Sequence, residues 1–473
     1  MVFNSLVFIG FFIVVTTLFF VLPQKFKWLL LLLASCFFYM YFVPIYILIL
    51  GFTIVVDYFA GIYIANSEGR KRKLFLICSL IANIGVLAFF KYYNFLNNNI
   101  TLLLDDIGFK NRIPHLDILL PIGLSFHTFQ AMSYTIEVFR GNQKPEKHFG
   151  IYALYVMFYP QLVAGPIERP QNMLHQFHEK KHFDYDGVVK GLRLMLWGFI
   201  KKLVIADRLA IYVDAVFNNA HFHSGISMMI AACFFRIQLY CDFSGYSDIA
   251  IGAAKVMGYN LMTNFRRPVL ISKGFRDLWQ RWHISLTTWL RDYLYFPLGG
   301  NRKGSFRTYV NMMIVFAISG LWHGSSYNFI IWGLLNGIFL ISERSLNPLL
   351  EKLNQLLGFT ANFFRRITVF MLISITGIFF RTPTVSDAWY MIRSIFTLKR
   401  GGIFKGQPPT TFGYFAFAVV FLIIVEHFQE FYPNVKIMNN NNVTVRYAGY
   451  VLLLILLLSV GVFNGGQFIY FQF

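Results

Sequence analysis

Charged residues are scarce in this chain. Only 14% of its 473 residues are charged, whereas a soluble domain carries about a quarter. Hydrophobic residues make up 56% of the chain, and the mean hydropathy is +0.54. This composition argues against a soluble globular protein and indicates one embedded in a lipid bilayer.

The motifs of several enzyme classes are also missing. The four cysteines form no CxxC pair, which argues against a disulfide framework or a zinc site. There is no GxSxG nucleophile elbow and no glycine-rich phosphate loop, so neither a serine hydrolase nor a nucleotide-binding fold is supported. Two histidine groups, His175, His178 and His182, and His221 and His223, lack a completing set of ligands. We therefore predict no metal site and no bound cofactor.

Acidic residues are outnumbered, at 22 against 42 basic ones, which gives a net charge of +20. In a soluble chain this excess would suggest nucleic acid. Here the basic residues occur in short runs between apolar stretches, as in the cytoplasmic loops of membrane proteins, so we predict no nucleic-acid partner. The runs are Lys25 and Lys27; Arg70, Lys71, Arg72 and Lys73; Lys180 and Lys181; Lys201 and Lys202; and Arg302, Lys303 and Arg307.

Apolar runs recur along the chain, and about 20 apolar residues cross a bilayer as a helix. We predict an all-α polytopic integral membrane protein with ten to twelve transmembrane or re-entrant helices, forming one domain over residues 1–473. The predicted spans lie near 2–22, 28–42, 45–65, 74–93, 118–139, 150–164, 188–206, 226–258, 308–342, 366–381, 411–431 and 446–464.

The first apolar run sets the predicted orientation. No basic residue precedes it, whereas Lys25 and Lys27 follow it. This pattern favours an uncleaved span with the N-terminus outside the cytoplasm. The basic run at Arg70 then lies inside, and residues 94–117 form an outside loop.

The stretch from Thr308 to Ser342 holds His323 and no other acidic or basic residue. It is longer than one span, and Gly320 and Gly324 flank the histidine, which predicts a broken helix beside a cavity. An ionisable residue deep in a membrane is a functional hypothesis, and a neutral imidazole suits a general base. A histidine that is only hydrogen-bonded between helices remains the alternative.

Three further ionisable residues are open to two interpretations. His283 lies near Arg276 and Arg291, which predicts an interfacial position with either a packing or a functional role. Asp242 and Asp248 lie in an otherwise apolar helix, and Arg236 precedes Asp242 by six residues. Intramembrane carboxylates pair with cations or line a wet cavity, so both a structural ion pair and a catalytic role stay open.

Several blocks of the sequence resemble the membrane-bound O-acyltransferase family, in particular its bacterial branch around alginate O-acetyltransferases and the teichoic-acid D-alanyl transfer protein. They cover most of the chain in order. They are PIGLSFHTFQAMSYTIEVFRG from Pro121, FYPQLVAGPIERP from Phe158, LWGFIKKLVIADRLA from Leu196, YCDFSGYSDIAIGAAKVMGYNL from Tyr240, NFRRP from Asn264, RWHISLTTWLRDYLYFPLGGNRKG from Arg281, SGLWHGSSYNFIIWG from Ser319 and the terminal FIYFQF. His127, Glu137 and Asn336 depart from the pattern of the alginate-type members.

The resemblance implies a ring of helices around a central tunnel in which an acyl donor meets its acceptor. The catalytic histidine of the family falls on His323, and its second characteristic polar position falls on His283. We predict that a further five residues line the substrate tunnel. These are Trp322, Asp242, Ser244, Asp248 and Asn328.

The function that this resemblance implies is transfer of an acetyl group from cytosolic acetyl-CoA to a hydroxyl of a cell-surface or exported polysaccharide. The implied location is the inner membrane, and the implied partner is a periplasmic or extracellular SGNH-type acetyltransferase. D-alanyl transfer from an acyl-carrier protein is the alternative within the family. A polysaccharide or ion-coupled transporter is the alternative of another class, although the chain shows no internal repeat.

Overall fold

The computed structural model describes residues 1–117, 120–163, 165–406, 408, 409, 411–432, 438, 440–463 and 468–471. Within these ranges the regular elements are helical and no β-strand occurs, which confirms the predicted all-α class. The chain divides into two compact units, one of Met1–Met195 with Ile249–Met262 and one of Leu196–Asp248 with Thr263–Phe473. The single domain predicted over the whole chain stays a prediction.

The first unit begins with nine helices in the described residues. They are α1 (Leu6–Val21), α2 (Gln24–Met40), α3 (Ile47–Ala65), α4 (Gly69–Leu87), α5 (Tyr93–Asp106), α6 (Leu124–Arg140), α7 (Phe149–Met157), α8 (Tyr159–Leu162) and α9 (Pro170–His178). Polar side chains join α3, α4 and α6: the carboxylate of Asp57 accepts hydrogen bonds from Ser79 at 2.6 Å and Asn83 at 2.9 Å, and the hydroxyls of Ser79 and Thr135 lie 3.0 Å apart. Such bonds stabilise helix contacts where apolar burial alone does not.

The outside loop predicted over residues 94–117 is wrong for its first half. A π-helical turn at Ala88–Tyr92 links α4 to α5, and the helical stretch runs on to Asp106. Neither glycine nor proline interrupts the sequence between Gly85 and Gly108, so nothing stops the helix there. The asparagines near Asn97 suggest a loop in sequence, but the side chain of Asn99 bonds to Phe95 O within the helix.

The next elements carry the chain between the units and through the second. They are α10 (Tyr185–Phe199), a π-helical turn at Ile200–Ala206, α11 (Asp207–Phe217), α12 (Gly225–Val256), α13 (Phe275–Arg281), α14 (Ile284–Leu290), α15 (Gly304–His323), α16 (Tyr327–Leu357), α17 (Phe359–Arg381), α18 (Val385–Phe396), α19 (Thr411–Phe431), α20 (Val443–Val460) and a 3₁₀ turn at Ile469–Phe471.

The long apolar stretch around His323 is broken, as predicted. α15 ends at His323, Gly324 is extended with φ −162° and ψ 155°, and α16 starts at Tyr327. The two helices pack with their backbones in contact: a Cβ on Gly320 would lie 2.2 Å from Phe329 O, and one on Gly333 would lie 3.2 Å from Gly320 Cα. Small residues therefore permit the close approach that places His323 at the turn.

Seven helical stretches in the described residues are long and apolar enough to cross a bilayer, with α1 as a shorter apolar helix. The predicted count of ten to twelve spans is therefore not confirmed. The stretches are Pro44–Ala65, Gly69–Asp106, Gly225–Val256, Tyr327–Leu357, Phe359–Arg381, Thr411–Phe431 and Val443–Val460.

Candidate active site

His323 lies at the C-terminal end of α15, buried to 5% exposure. Helix α15 begins in the basic run near Lys303, so the histidine lies about 28 Å farther along the helix at 1.5 Å per residue. Its ring packs against aromatic side chains, with centroid distances of 5.0 Å to Trp332, 5.3 Å to Phe380 and 5.6 Å to Tyr470. These contacts hold the imidazole in one place far from the basic end of the helix.

His283 occupies the bend between α13 and α14. Its backbone is left-handed, with φ 45° and ψ 52°, a conformation that non-glycine residues adopt infrequently and at a cost. The side chain is buried, and its ring contacts Phe243 at 4.6 Å and Trp322 at 6.0 Å. Contacts with neighbouring residues must offset the energetic cost of this backbone conformation.

Asn264 makes the hydrogen bonds that stabilise this bend. Its Oδ1 lies 3.1 Å from Nδ1 of His283 and accepts hydrogen bonds from the hydroxyl and the backbone N–H of Ser285 at 2.9 and 3.3 Å. Its backbone carbonyl accepts from Ile284 N at 2.9 Å, and its Nδ2 donates to Ser247 at 3.3 Å. One buried asparagine thus contacts His283, Ile284 and Ser285, the three consecutive residues of the bend.

Both histidines line one cavity of about 680 Å³. Its walls are single helix faces, since the lining residues of each helix recur every three or four positions. Helix α15 contributes Met312, Val315, Phe316, Ser319 and His323. From α16 come Leu340, Glu343, Arg344 and Asn347, and α13 and α14 add Trp279, Trp282, His283, Leu286 and Leu290.

More basic than acidic residues line the cavity. Three arginines, Arg276, Arg291 and Arg344, and one carboxylate, Glu343, line the cavity together with the two histidines. Glu343 is engaged already, because its Oε2 accepts from Arg276 N at 3.0 Å and its Oε1 from Arg365 at 3.3 Å. The cavity therefore suits a ligand that carries negative charge and has a group to present to an imidazole.

The carboxylates predicted for the tunnel form ion pairs, buried for Asp242 and partly buried for Asp248. Nζ of Lys202 lies 2.6 Å from Asp242 and 2.8 Å from Asp207, and Nζ of Lys201 lies 2.6 Å from Asp248. Lys201 also donates to the hydroxyl of Ser244 at 2.9 Å. Asp242, Ser244 and Asp248 are not among the residues that line the cavity in the described chain, and their assignment to a tunnel stays a prediction.

One detail of the sequence interpretation is wrong here. Lys201 and Lys202 do not form an exposed basic loop, because they lie in the π-helical turn and are buried among carboxylates. The structural ion pair that stayed open for Asp242 forms with Lys202 and not with Arg236. The guanidinium of Arg236 lies 4.8 Å from the ring of Trp282, a cation–π contact.

The remaining predicted residues lie near His323. Trp322 contacts the rings of both His283 and His323, at 6.0 and 5.0 Å. Asn328 is buried at the start of α16 and donates from Nδ2 to Thr382 O at 2.7 Å. Trp322 therefore bridges the two histidines, whereas Asn328 ties two helix ends together.

Most of the sequence matches known proteins. Residues 147–382, which include both histidines and Asn264, match the model of the membrane-bound O-acyltransferase family. A probable alginate O-acetylase of Pseudomonas aeruginosa is 37% identical over 403 residues, covering 84% of this chain and 75% of the relative. The chain belongs to the membrane-bound O-acyltransferase family. It is thus a multi-pass membrane enzyme that transfers acyl groups.

Two other relatives differ in what they modify. A peptidoglycan O-acetyltransferase of Helicobacter pylori is 34% identical over 392 residues, covering 77% of this chain and 73% of that protein. A teichoic acid D-alanyltransferase of Bacillus subtilis is 25% identical over 228 residues, covering 46% of this chain and 58% of that protein. Membership in the membrane-bound O-acyltransferase family therefore establishes acyl transfer but does not by itself identify the acceptor.

Proposed function

We propose that this enzyme transfers an acetyl group from acetyl-CoA to a hydroxyl acceptor of a cell-surface or exported polysaccharide, with His323 as general base. The observation that carries the proposal is that His323 and His283 line the same cavity as three arginines. An imidazole and an anion-binding wall are what a proton-coupled transfer from a phosphorylated thioester requires. The names of the alginate and peptidoglycan relatives support the acetyl group and the polysaccharide class.

In the proposed reaction the acceptor oxygen attacks the thioester carbonyl carbon while His323 takes the hydroxyl proton. The tetrahedral intermediate then collapses, the carbon–sulfur bond breaks, and the departing sulfur takes the proton from His323. The products are the acetyl ester and the free thiol, so atoms and charge balance. A positioned base of this kind contributes about 10²–10⁴-fold to the rate.

The cationic wall of the cavity supports a phosphorylated donor. Guanidinium groups bind phosphate oxygens through paired N–H donors. The cavity offers Arg276, Arg344 and Arg291 for this task, although Nε of Arg291 already pairs with Asp292 at 2.7 Å. Basic residues mark the cytoplasmic side of a membrane protein, and α15 begins directly after Lys303. We infer that the donor enters from the cytoplasm and that its thioester reaches His323.

The location and partners follow from the same chemistry. A cytosolic donor and an exported acceptor place the enzyme in the inner membrane, with its N-terminus outside as the basic residues after the first apolar run favour. A periplasmic or extracellular SGNH-type acetyltransferase would receive the acetyl group or complete its transfer. Trp322, Asp242, Ser244, Asp248 and Asn328 are proposed along the passage within a ring of helices.

D-alanyl transfer from an acyl-carrier protein is the second candidate. It is favoured by the match to the Bacillus subtilis teichoic acid D-alanyltransferase over 228 residues. The chemistry at His323 would be the same, since the donor is again a thioester. Cells fed labelled acetate or labelled D-alanine would distinguish the donors, because only one label would enter the surface polymer.

Mass spectrometry of surface polysaccharides tests the proposal. Cells with His323→Ala should lose most of the ester, by about 10²-fold or more, while the protein remains at normal levels in the membrane. His182→Ala is the matched control, because His182 is exposed and should retain full esterification. Unchanged ester in the His323→Ala cells would refute His323 as the base.

A further inference from the structure

We propose that Asn264 is a positioning residue that holds His283 in its Nδ1–H tautomer and so makes Nε2 of His283 a hydrogen-bond and proton acceptor. The proposal rests on the proposed acyl transfer for its kinetic test, although the tautomer itself is a property of the resting protein. Neither the sequence pattern nor family membership gives Asn264 a role.

The orientation of the Asn264 amide is fixed by a neighbour whose role is unambiguous. The backbone nitrogen of Ser285 is a donor, so the Asn264 atom 3.3 Å from it is the carbonyl oxygen. The same oxygen lies 3.1 Å from Nδ1 of His283. A carbonyl oxygen only accepts, and therefore Nδ1 carries the proton. In neutral imidazole the lone pair is then on Nε2.

The backbone around His283 depends on the same residue. The left-handed conformation of His283, with φ 45°, is strained and persists where the surroundings over-determine it. Asn264 accepts from Ile284 N through its main chain and from Ser285 through its side chain. Ser247 of α12 in turn accepts from Asn264 at 3.3 Å. The bend and the tautomer are thus set together.

This arrangement divides the work between the two histidines. With its proton committed to Asn264, neutral His283 accepts from a substrate O–H or N–H and does not stabilise a developing oxyanion by donation. His323 remains the base of the proposed reaction. Among the described residues, the titratable or charged groups that face His283 or line the same cavity are Tyr470, whose ring lies 6.5 Å away, and His323, Arg276, Arg291, Glu343 and Arg344.

The kinetic test uses purified full-length protein in nanodiscs, with acetyl-CoA as the donor. Asn264→Ala should lower kcat by up to about 10²-fold, the lower range for a positioned base, with little change in KM. Asn264→Asp keeps the accepting oxygen and should recover much of the rate. Its added carboxylate stabilises the imidazolium of His283, so the acid limb of the pH–rate profile should move to higher pH.

Asn311→Ala is the matched control, because Asn311 is a buried asparagine that bonds to Gly300 O rather than to His283. It should lower stability without moving the acid limb. The proposal is overturned if Asn264→Ala keeps the wild-type kcat. It is also overturned if the Ala and Asp variants lose the same activity and both retain the wild-type pH profile, since a purely structural asparagine would behave so.

A second test needs no activity and separates this inference from the proposed function. In ¹⁵N-histidine-labelled protein, the signals that vanish in His283→Gln belong to His283. We expect a protonated Nδ1 and an unprotonated Nε2, with this pattern retained in Asn264→Asp and lost in Asn264→Ala. A protonated Nε2 in the unsubstituted protein would refute the proposal even if acetyl transfer were established.

Discussion

The ammonium group of Lys202 lies 2.6 Å from the carboxylate of Asp242 inside the second unit, with side-chain exposures of 1% and 4%. The second carboxylate oxygen of Asp242 accepts from Ile469 N at 2.8 Å, and Lys202 also contacts Asp207. Tyr470, next to that nitrogen in sequence, packs on His323. The ion pair therefore anchors the turn whose aromatic ring covers the candidate base.

Removing the lysine should be more damaging than removing an exposed charge. Lys202→Met leaves two buried carboxylates without their cation and should lower the free energy of unfolding by about 3–5 kcal/mol. Lys190→Met, at an exposed position of α10, serves as the control with a change within about 0.5 kcal/mol. Thermal unfolding of the detergent-solubilised protein measures both. Equal melting temperatures for the two variants would contradict a stabilising role.

A second prediction concerns the contact between α15 and α16. A Cβ at Gly320 would lie 2.2 Å from Phe329 O, whereas one at Gly85 in α4 would meet no atom within 4 Å. Gly320→Ala should thus cost about 1–3 kcal/mol through overpacking and displace His323, lowering kcat. Gly85→Ala should be neutral or slightly stabilising, because alanine favours helix. Melting temperature and kcat of both variants check this, and a tolerated Gly320→Ala would count against the close contact.

Much of the helical layout was predictable because it depends on local sequence. The break near His323 follows from Gly324 and from a run too long for one span, and the structure has it there. The loop predicted over residues 94–117 is wrong for its first half, where side-chain bonds such as Asn99 to Phe95 O satisfy polar groups within a helix. Local composition does not reveal where such polar groups find partners.

The candidate site was less predictable because its contacts join distant parts of the chain. His323 is an ionisable residue in an apolar stretch, a signal that sequence carries, whereas His283 lies among basic residues and is marked by the resemblance of its block to the family. The ion pair of Asp242 with Lys202 and the contact of His283 with Asn264 are tertiary contacts, which local sequence does not reveal. Lys201 and Lys202 resemble a cytoplasmic basic run until the helix packing shows them buried. The arginines of α13 and α16 share a cavity only after folding.

The cavity arginines give a third prediction. Arg344→Gln should raise KM for acetyl-CoA by about ten- to a hundredfold, the value of a hydrogen bond to a charged group, and should leave kcat nearly unchanged. Arg307→Gln is the charge-matched control, because Arg307 is exposed like Arg344 but does not line the cavity among the described residues. Its KM should stay as in the unsubstituted enzyme. Equal shifts in KM for both variants would indicate a general electrostatic effect and not a donor site.

A fourth prediction distinguishes two roles for Asn328, lining the substrate passage or joining two helices. Its Nδ2 donates to Thr382 O at 2.7 Å, joining the start of α16 to the end of α17. If this bond is its main role, Asn328→Ala should lower the free energy of unfolding by about 1–3 kcal/mol, the cost of leaving a buried carbonyl unsatisfied, without changing KM for donor or acceptor. Thermal unfolding and initial rates over a range of both substrates measure the two effects. A raised KM for the acceptor at unchanged stability would instead place Asn328 in the substrate passage, because a side chain that only joins helix ends does not contact the substrate.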